Sequence, residues 1–321
     1  MKDVIIIGGS FAGLSAAMSL ARSMRDILII DSGNPCNKQT PQAHNILTHD
    51  GRTPNDITAL SKKDVLKYPT TEFKNDQVLH IENNETGFLM ATKQGITYTS
   101  RKILFATGVT DQVPQIPGFA ECWGKSVIHC PYCHGYEFRN KRTGILATSD
   151  AAFEMTKMVY HWSKNLYLLT NGPAQFEKEQ TEKLETLRVP VIEKQIKIVH
   201  NIDGYLHSIV FADNSVLDLD ALYARPPFTQ QSELPAQLGC QFSNNLIKVD
   251  EMQRTTIPGI YAAGDNSSML RSLAMAIAAG SKAGAAINNE LINDDFNHQT
   301  LLPGKRSIAS SKSIIPPEQL S

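Results

Sequence analysis

The stretch Val4-Ile5-Ile6-Ile7-Gly8-Gly9-Ser10-Phe11-Ala12-Gly13 stands near the start of the chain. Four β-branched residues run into a glycine-rich turn, residues 14–21 have helical composition, and a second apolar run, 27–30, ends at Asp31. The pattern predicts strand, tight turn, helix, strand: a βαβ unit of the kind that binds a dinucleotide. Gly8 makes the turn, and Gly13 lets the helix pack closely on the strand. Ser10 stands where the fingerprint has its middle glycine, so the backbone approach to a pyrophosphate is slightly more crowded. The N-terminus of the helix binds the anion. Asp31 lies close to where an acidic residue takes the ribose hydroxyls.

The composition bounds the rest. With 321 residues, 41% hydrophobic and 20% charged, the chain is long enough for two domains with packed cores. Lys and Arg number 31 against 32 Asp and Glu, a net charge of -1, which leaves no footprint for nucleic acid or an anionic membrane. No apolar run approaches the roughly 18 residues of a membrane span. Residues 4–7 run straight into glycines, as a buried strand does and a cleavable signal peptide does not. Five cysteines are too few for a secreted disulfide scaffold. A cytoplasmic protein with one specialised pair is expected, with Cys36, Cys122 and Cys240 as ordinary thiols.

The specialised pair is in His129-Cys130-Pro131-Tyr132-Cys133-His134-Gly135-Tyr136-Glu137. Two cysteines at this spacing can close a small disulfide ring, one thiol attacking and the other resolving. His134 directly after the second cysteine is placed to move the proton that exchange requires. A metal site is not expected, because a structural zinc needs a second ligand pair and none is evident. His129 reads as a packing or hydrogen-bonding residue. Glu137 either orients His134 or is a solvated carboxylate. Met155, Met158 and Val159 have the spacing of a helix's core face.

Two further landmarks flank this motif. Ile103-Leu104-Phe105-Ala106-Thr107-Gly108 is followed by the proline-rich Val113-Pro114-Gln115-Ile116-Pro117-Gly118. Later, Ile257-Pro258-Gly259-Ile260-Tyr261-Ala262-Ala263-Gly264-Asp265 precedes an Ala-rich helix over 273–291. In this combination and order the motifs resemble the low-molecular-weight thioredoxin reductase family, over roughly residues 1–292. The resemblance implies an α/β fold of two Rossmann-like dinucleotide-binding domains and a homodimer. The FAD-binding domain would comprise 1–111 and 228–295. An NAD(P)-like domain with the redox cysteines would comprise 112–227, and 296–321 would be a C-terminal tail. FAD would rest on Gly8, Gly9, Ser10, Ala12, Gly13, Asp31, Ala106, Thr107, Gly108, Gly264 and Asp265. Asn45 would match a flavin-contacting asparagine. Cys133 would face the flavin as a charge-transfer thiolate, Cys130 would exchange with substrate, and His134 would move protons.

The chain departs from that family in two places. In Thr143-Gly144-Ile145-Leu146-Ala147-Thr148-Ser149-Asp150, residues 147–149 replace the three glycines of the NADPH loop, and each added Cβ pushes the backbone away from a pyrophosphate. After the next strand, Thr170-Asn171-Gly172-Pro173 offers no cation where the family grips the 2′-phosphate. NADPH is therefore not expected as a conventional cofactor; a weak site built on Lys141, Arg142 or Lys157 is the alternative. The second departure is His134, where classical members have an acidic residue. Cys-x-x-Cys-His-Gly-Tyr-Glu resembles the dithiol oxidases that close disulfides in gliotoxin and holomycin. A histidine is a base near pH 7, which suits the oxidative direction.

The expected function is an FAD-dependent thiol–disulfide oxidoreductase acting on a small-molecule dithiol or a thioredoxin-like protein. Dioxygen would reoxidise the flavin in the oxidase version; ferredoxin, a second flavin or weakly bound NAD(P)H would feed it in the reductase version. A flavin redox sensor without turnover is the reading of another class. The tail is expected to be an extended arm or disordered, since 307–313 is serine-rich and Pro316-Pro317 precludes a helix there.

Overall fold

The structure, a computed structural model, describes residues 1–84 and 86–300. The expected βαβ unit is present: β1 (Lys2–Ile7), α1 (Phe11–Arg22) and β2 (Ile27–Asp31). Next come α2 (Pro54–Val65), β3 (Thr71–Asn75), β4 (Val78–Asn84), β5 (Gly87–Thr92) and β6 (Thr97–Phe105). The sheet order is β3-β2-β1-β6-β5-β4, with β1, β2, β3 and β6 parallel and β4 and β5 antiparallel. Residues 4–7 of β1 and 27–30 of β2 are buried on both faces, as parallel strands covered on both sides require.

At β7 (Val109–Asp111) the chain leaves this sheet. It then forms α3 (Phe119–Cys122), β8 (Val127–Ile128), α4 (Pro131–His134), β9 (Thr143–Leu146), α5 (Ser149–Val159), β10 (Leu166–Leu169), α6 (Lys178–Thr186) and β11 (Val191–Ile192). An antiparallel meander follows, β12 (Ile196–Ile202), β13 (Tyr205–Phe211) and β14 (Val216–Asp218), and then β15 (Ala221–Ala224). The second sheet is parallel, β11-β10-β9-β15-β8. Met155 and Val159 of α5 join its core and Met158 is half-buried, the helix face read from the sequence.

The chain returns through β16 (Phe228–Gln230), antiparallel to β7 with Phe228 opposite Asp111. After α7 (Leu234–Gln237) and the hairpin of β17 (Phe242–Ser243) and β18 (Leu246–Ile247), β19 (Ile260–Ala262) pairs with residues 103–105 of β6. α8 (Leu273–Thr300) then packs along α1. It runs beyond the expected end at 291 because its last turns are tethered. Arg25 and Arg101 pair with Asp295 at 2.8 and 2.7 Å, and Lys102 pairs with Glu290 and with Asp294 at 3.0 Å. Residues 296–300 of the expected tail are thus helical; the rest of it, including 307–313 and Pro316-Pro317, lies outside the described residues.

Candidate active site

The β1–α1 turn is built as its glycines predict. Gly8 has φ 110°, and a Cβ there would lie 2.2 Å from the carbonyl oxygen of Ala106. A Cβ on Gly13 would lie 1.9 Å from the Gly8 carbonyl oxygen, so its role is close packing, and it lines neither cleft described below. No side chain caps α1, and its first turn holds no acidic residue, which leaves its N–H groups open for an anion. Asp31 accepts the N–H of Gly9 at 3.0 Å and of Gly33 at 3.2 Å, which fixes the carboxylate at the end of β2.

Two clefts meet at this turn. One is lined by Gly8, Gly9, Asp31, Asp76 and Glu233 among others. The second is lined by Ala12, Gly108, Gly264, Asp265, Cys133 and His134 among others. Both share Ser10, Pro35, Asn37, Pro54, Ala106, Thr107 and Gln231, so they form one channel from Asp31 to the redox pair. Asn45 is not on its wall. It is exposed, at φ 59°, and the neighbouring His44 lines the cleft instead.

Cys130 and Cys133 are joined as a disulfide, with Cα atoms 5.3 Å apart. Pro131 at the first position of α4 presets the turn between them. Cys133 lines the cleft, whereas Tyr132 does not and is 65% exposed. Burial, reinforced by the nearby His44, pushes His134 down to about 4. The expectation of a base near pH 7 is thereby corrected: with the disulfide closed, His134 is a neutral imidazole of weak basicity. His129 is likewise pushed to about 4 by burial and the nearby Arg271. Its ring stacks on Trp123 at 6.0 Å, and its Nε2 is buried without a hydrogen-bond partner among the described residues. Of the two expected roles Glu137 fits the solvated carboxylate: it is exposed, and its Oε1 lies 3.6 Å from Nε2 of His44.

Several cleft residues escaped the sequence reading. Arg271 makes a bidentate pair with Asp111 at 2.7 and 3.0 Å and reaches Asp265 at 3.4 Å. Burial nevertheless raises the pKa of Asp265 above the ordinary carboxylate range. Gln231 donates to the Asn34 carbonyl at 2.7 Å. Cys36 keeps exposed surface as a residue, but its sulfur lies 3.8 Å from Asp265, and burial with that carboxylate pushes the thiol up to about 12. It is a poor nucleophile, and the reactive sulfurs are Cys130 and Cys133. Proximity to Gly264-Asp265 was the one signal that could have found Arg271.

The second strand–turn–helix, β9–α5, differs. Ser149 stands at φ 54°, and Thr148 offers α5 no side-chain cap. Beyond β10, Thr170 donates to the Gly172 carbonyl at 2.6 Å and Asn171 accepts the Ile196 N–H at 2.6 Å. Arg142 is engaged by Asp218 and Asp220, and Lys157 by Glu154.

The sequence profile of the pyridine nucleotide-disulphide oxidoreductases matches residues 2–280. The chain belongs to that family. Thioredoxin reductase tcpT of Claviceps purpurea is 31% identical over 94% of this chain and 98% of its own length. Thioredoxin reductase aclD of Aspergillus oryzae is 27% identical over 91% and 97%. Among solved structures, an oxidoreductase from Agrobacterium tumefaciens superposes with a TM-score of 0.86 at 33% identity, covering 91% of this chain and 99% of that one. HlmI superposes with a TM-score of 0.88 at 30% identity, covering 94% and 95%. This member of the pyridine nucleotide-disulphide oxidoreductases therefore has the fold and the disulfide-oxidoreductase class that the motifs implied, and the family implies a flavin. The residues present fit FAD: uncapped helix N–H groups and an anchored carboxylate stand at one end of a continuous channel, and the disulfide stands at the other. Among the described residues, no group of three or more His, Cys, Asp or Glu side chains is arranged to hold a metal, and no helix is long and apolar enough to cross a membrane.

Proposed function

We propose that the protein is an FAD-dependent thiol–disulfide oxidoreductase that oxidises a dithiol through Cys130–Cys133 and does not take electrons from NADPH in the conventional way. The observation that carries this reading is the position of Cys133 and His134 on the wall of the channel that begins at Asp31 and Ser10. Gly8, Gly9, Ser10, Ala12, Asp31, Ala106, Thr107, Gly108, Gly264 and Asp265 would hold the cofactor, with Gly13 supporting the turn. Residues 1–111 with 228–295 would form its domain and 112–227 the redox domain.

A substrate thiol gives its proton to His134 and attacks Cys130 Sγ. The substrate–Cys130 bond forms, the Cys130–Cys133 bond breaks, and Cys133 is left as a thiolate in the cleft. The substrate's second thiol then displaces Cys130 and passes its proton to it, releasing a substrate disulfide and leaving Cys130 as a thiol beside the Cys133 thiolate. His134 accepts the thiol proton next to the forming Cys133 thiolate, where a positive charge is stabilised. FAD, when bound, supplies the two-electron acceptor for the dithiol, with dioxygen or a carrier such as ferredoxin as the final acceptor. A homodimer in the cytoplasm completes the reading. The names of tcpT and aclD favour the alternative, a thioredoxin reductase with a degenerate NAD(P)H loop. A sensor without turnover would leave the disulfide unused.

Anaerobic mixing separates these. Dithiothreitol should bleach the flavin of the wild-type protein and fail with Cys133→Ser; readmitted air should restore the colour. An unbleached wild type overturns the thiol–disulfide reading, and colour that stays lost in air replaces dioxygen by a carrier.

A further inference from the structure

The chain crosses between its two sheets twice, outward through β7 and back through β16, and the two crossings pair as one short antiparallel ribbon. Phe228 stands opposite Asp111, Thr229 opposite Thr110 and Gln230 opposite Val109. Beyond the last rung the Gln112 N–H donates to the Pro227 carbonyl at 2.7 Å, and the Gln112 side chain donates to Thr229 Oγ1 at 3.1 Å. A two-stranded ribbon this short has little stability of its own, so something outside it must fix the direction in which it carries the second sheet.

Arg271 reaches it from the first half, out of the segment between β19, which pairs with β6, and α8, which packs on α1. Its Nη1 and Nη2 meet the two carboxylate oxygens of Asp111 at 2.7 and 3.0 Å, and its Cζ stands 6.0 Å over the ring of Phe228, so both residues of that rung are engaged. Nε turns to Asp265 at 3.4 Å, on the same segment as Arg271, which steadies the near end of the side chain. The Arg271 and Asp111 side chains are 13% and 8% exposed, so salt and solvent screen the pair little. A planar fork on a carboxylate fixes direction as well as distance, which a point charge does not. The halves also touch where the β2–α2 connection lies against Gly124, a Cβ there being 3.2 Å from Thr40 Oγ1, but that contact is one of packing.

We propose that Arg271 is a positioning residue for electron transfer: by clasping Asp111 on the ribbon it sets the angle of the second sheet, and with it the place of the Cys130–Cys133 disulfide on the channel wall. The inference rests on the thiol–disulfide reading above. Opening of the disulfide by a dithiol needs only access to Cys130 Sγ. In the step that follows, the Cys130–Cys133 bond closes again, the Cys130 proton leaves, and two electrons pass to the flavin. That step needs the sulfur and the flavin in register, and a misplacement of about 1 Å is enough to slow such a reaction severely. Arg271 therefore acts on the second step and leaves the first alone.

The test mixes the full-length holoprotein, Arg271→Gln, the nearly isosteric Asp111→Asn and the double variant anaerobically with dithiothreitol. Samples quenched with an alkylating reagent report free Cys130 and Cys133 by mass, while absorbance per bound flavin reports bleaching. In the wild type the thiols should appear no sooner than the colour fades. In either single variant they should appear at the wild-type rate, with bleaching at least about ten-fold slower. The double variant should be no slower than the single ones, because all three remove the same pair. Thiols and colour that slow together, the mark of a merely structural residue, overturn the proposal, as does a double variant whose losses add. Hydrogen–deuterium exchange reads the hinge without turnover: amides of residues 109–112 and 228–230 should exchange at least about ten-fold faster in the variants, while β1 and β9 stay as in the wild type. Unmoved ribbon amides overturn the proposal whatever the flavin does, whereas a wild type whose flavin dithiol never bleaches overturns the thiol–disulfide reading instead.

Discussion

The chain makes the same strand–turn–helix twice and spends it differently. At β1–α1, Gly8 adopts φ 110° against the Ala106 carbonyl, the helix N-terminus is bare, and Asp31 is held by two N–H groups facing a channel. At β9–α5, Ala147, Thr148 and Ser149 carry side chains through the turn, Ser149 holds φ 54° with a Cβ, and at the end of β10 Thr170 donates to the Gly172 carbonyl while Asn171 accepts the Ile196 N–H. Neither helix N-terminus has a side-chain cap, but the first opens on the channel with no acidic residue in its first turn, whereas the second carries Asp150 there and the polar groups at the end of β10 are paired within the chain. A shared backbone path therefore says little about binding; the side chains at the turn decide it.

The largest expected effect tests that contrast directly. Gly8→Val places a branched side chain where a Cβ already meets a carbonyl, so purified protein should lose at least about ten-fold of its flavin, together with several kcal/mol of stability. Thr148→Val at the corresponding turn should keep the wild-type ratio of visible to ultraviolet absorbance. A fully yellow Gly8→Val protein would break the comparison. Next, micromolar NADPH under anaerobic conditions should leave the flavin unbleached over minutes in which dithiothreitol bleaches it; equal rates would show that the second turn still binds.

A third measurement concerns the cleft where the halves meet. His129 and His134 lie at about 4 in the folded protein, chiefly through burial, and return to about 6.5 on unfolding. Between these values the unfolded chain binds more protons, so stability rises with pH and is fully regained above the unfolded value. Lowering the pH from 7 to 5 should cost about 2 kcal/mol per histidine, read by denaturant unfolding. A flat profile would mean that the cleft admits water to both rings. The smallest effect is at Ser149→Gly, which should stabilise by about 0.5–1 kcal/mol by relieving the left-handed serine. A loss there would mean that the serine side chain is itself needed.

The first sheet was legible because β1, β2 and Asp31 lie close together in the sequence, where periodicity and turn chemistry act locally. The redox pair and its position between the flavin landmarks were legible for the same reason. What was not legible depends on segments that meet only in three dimensions. Asn45 and His44 are adjacent, and one left-handed residue decides which of them faces the cleft. Glu137 is three residues from His134 yet reaches His44. The far end of α8 is fixed by Arg25, Arg101 and Lys102, about 190 to 270 positions earlier, so local composition does not mark where it stops. The pKa of His134 follows from burial, which residue type does not reveal.

The pairing of β6 with β19 has a consequence for the order in which the molecule can assemble. β6 is complete once residue 105 has been made, but its partner along residues 103–105 arrives only with residues 260–262. During synthesis, the whole second sheet emerges while the first is still missing a strand and the helix that covers α1. The strands and helices between β7 and β16 are thus made before the β6–β19 pairing and the packing of α8 on α1 can form. A chain that stops before α8 would therefore expose the apolar flank of α1.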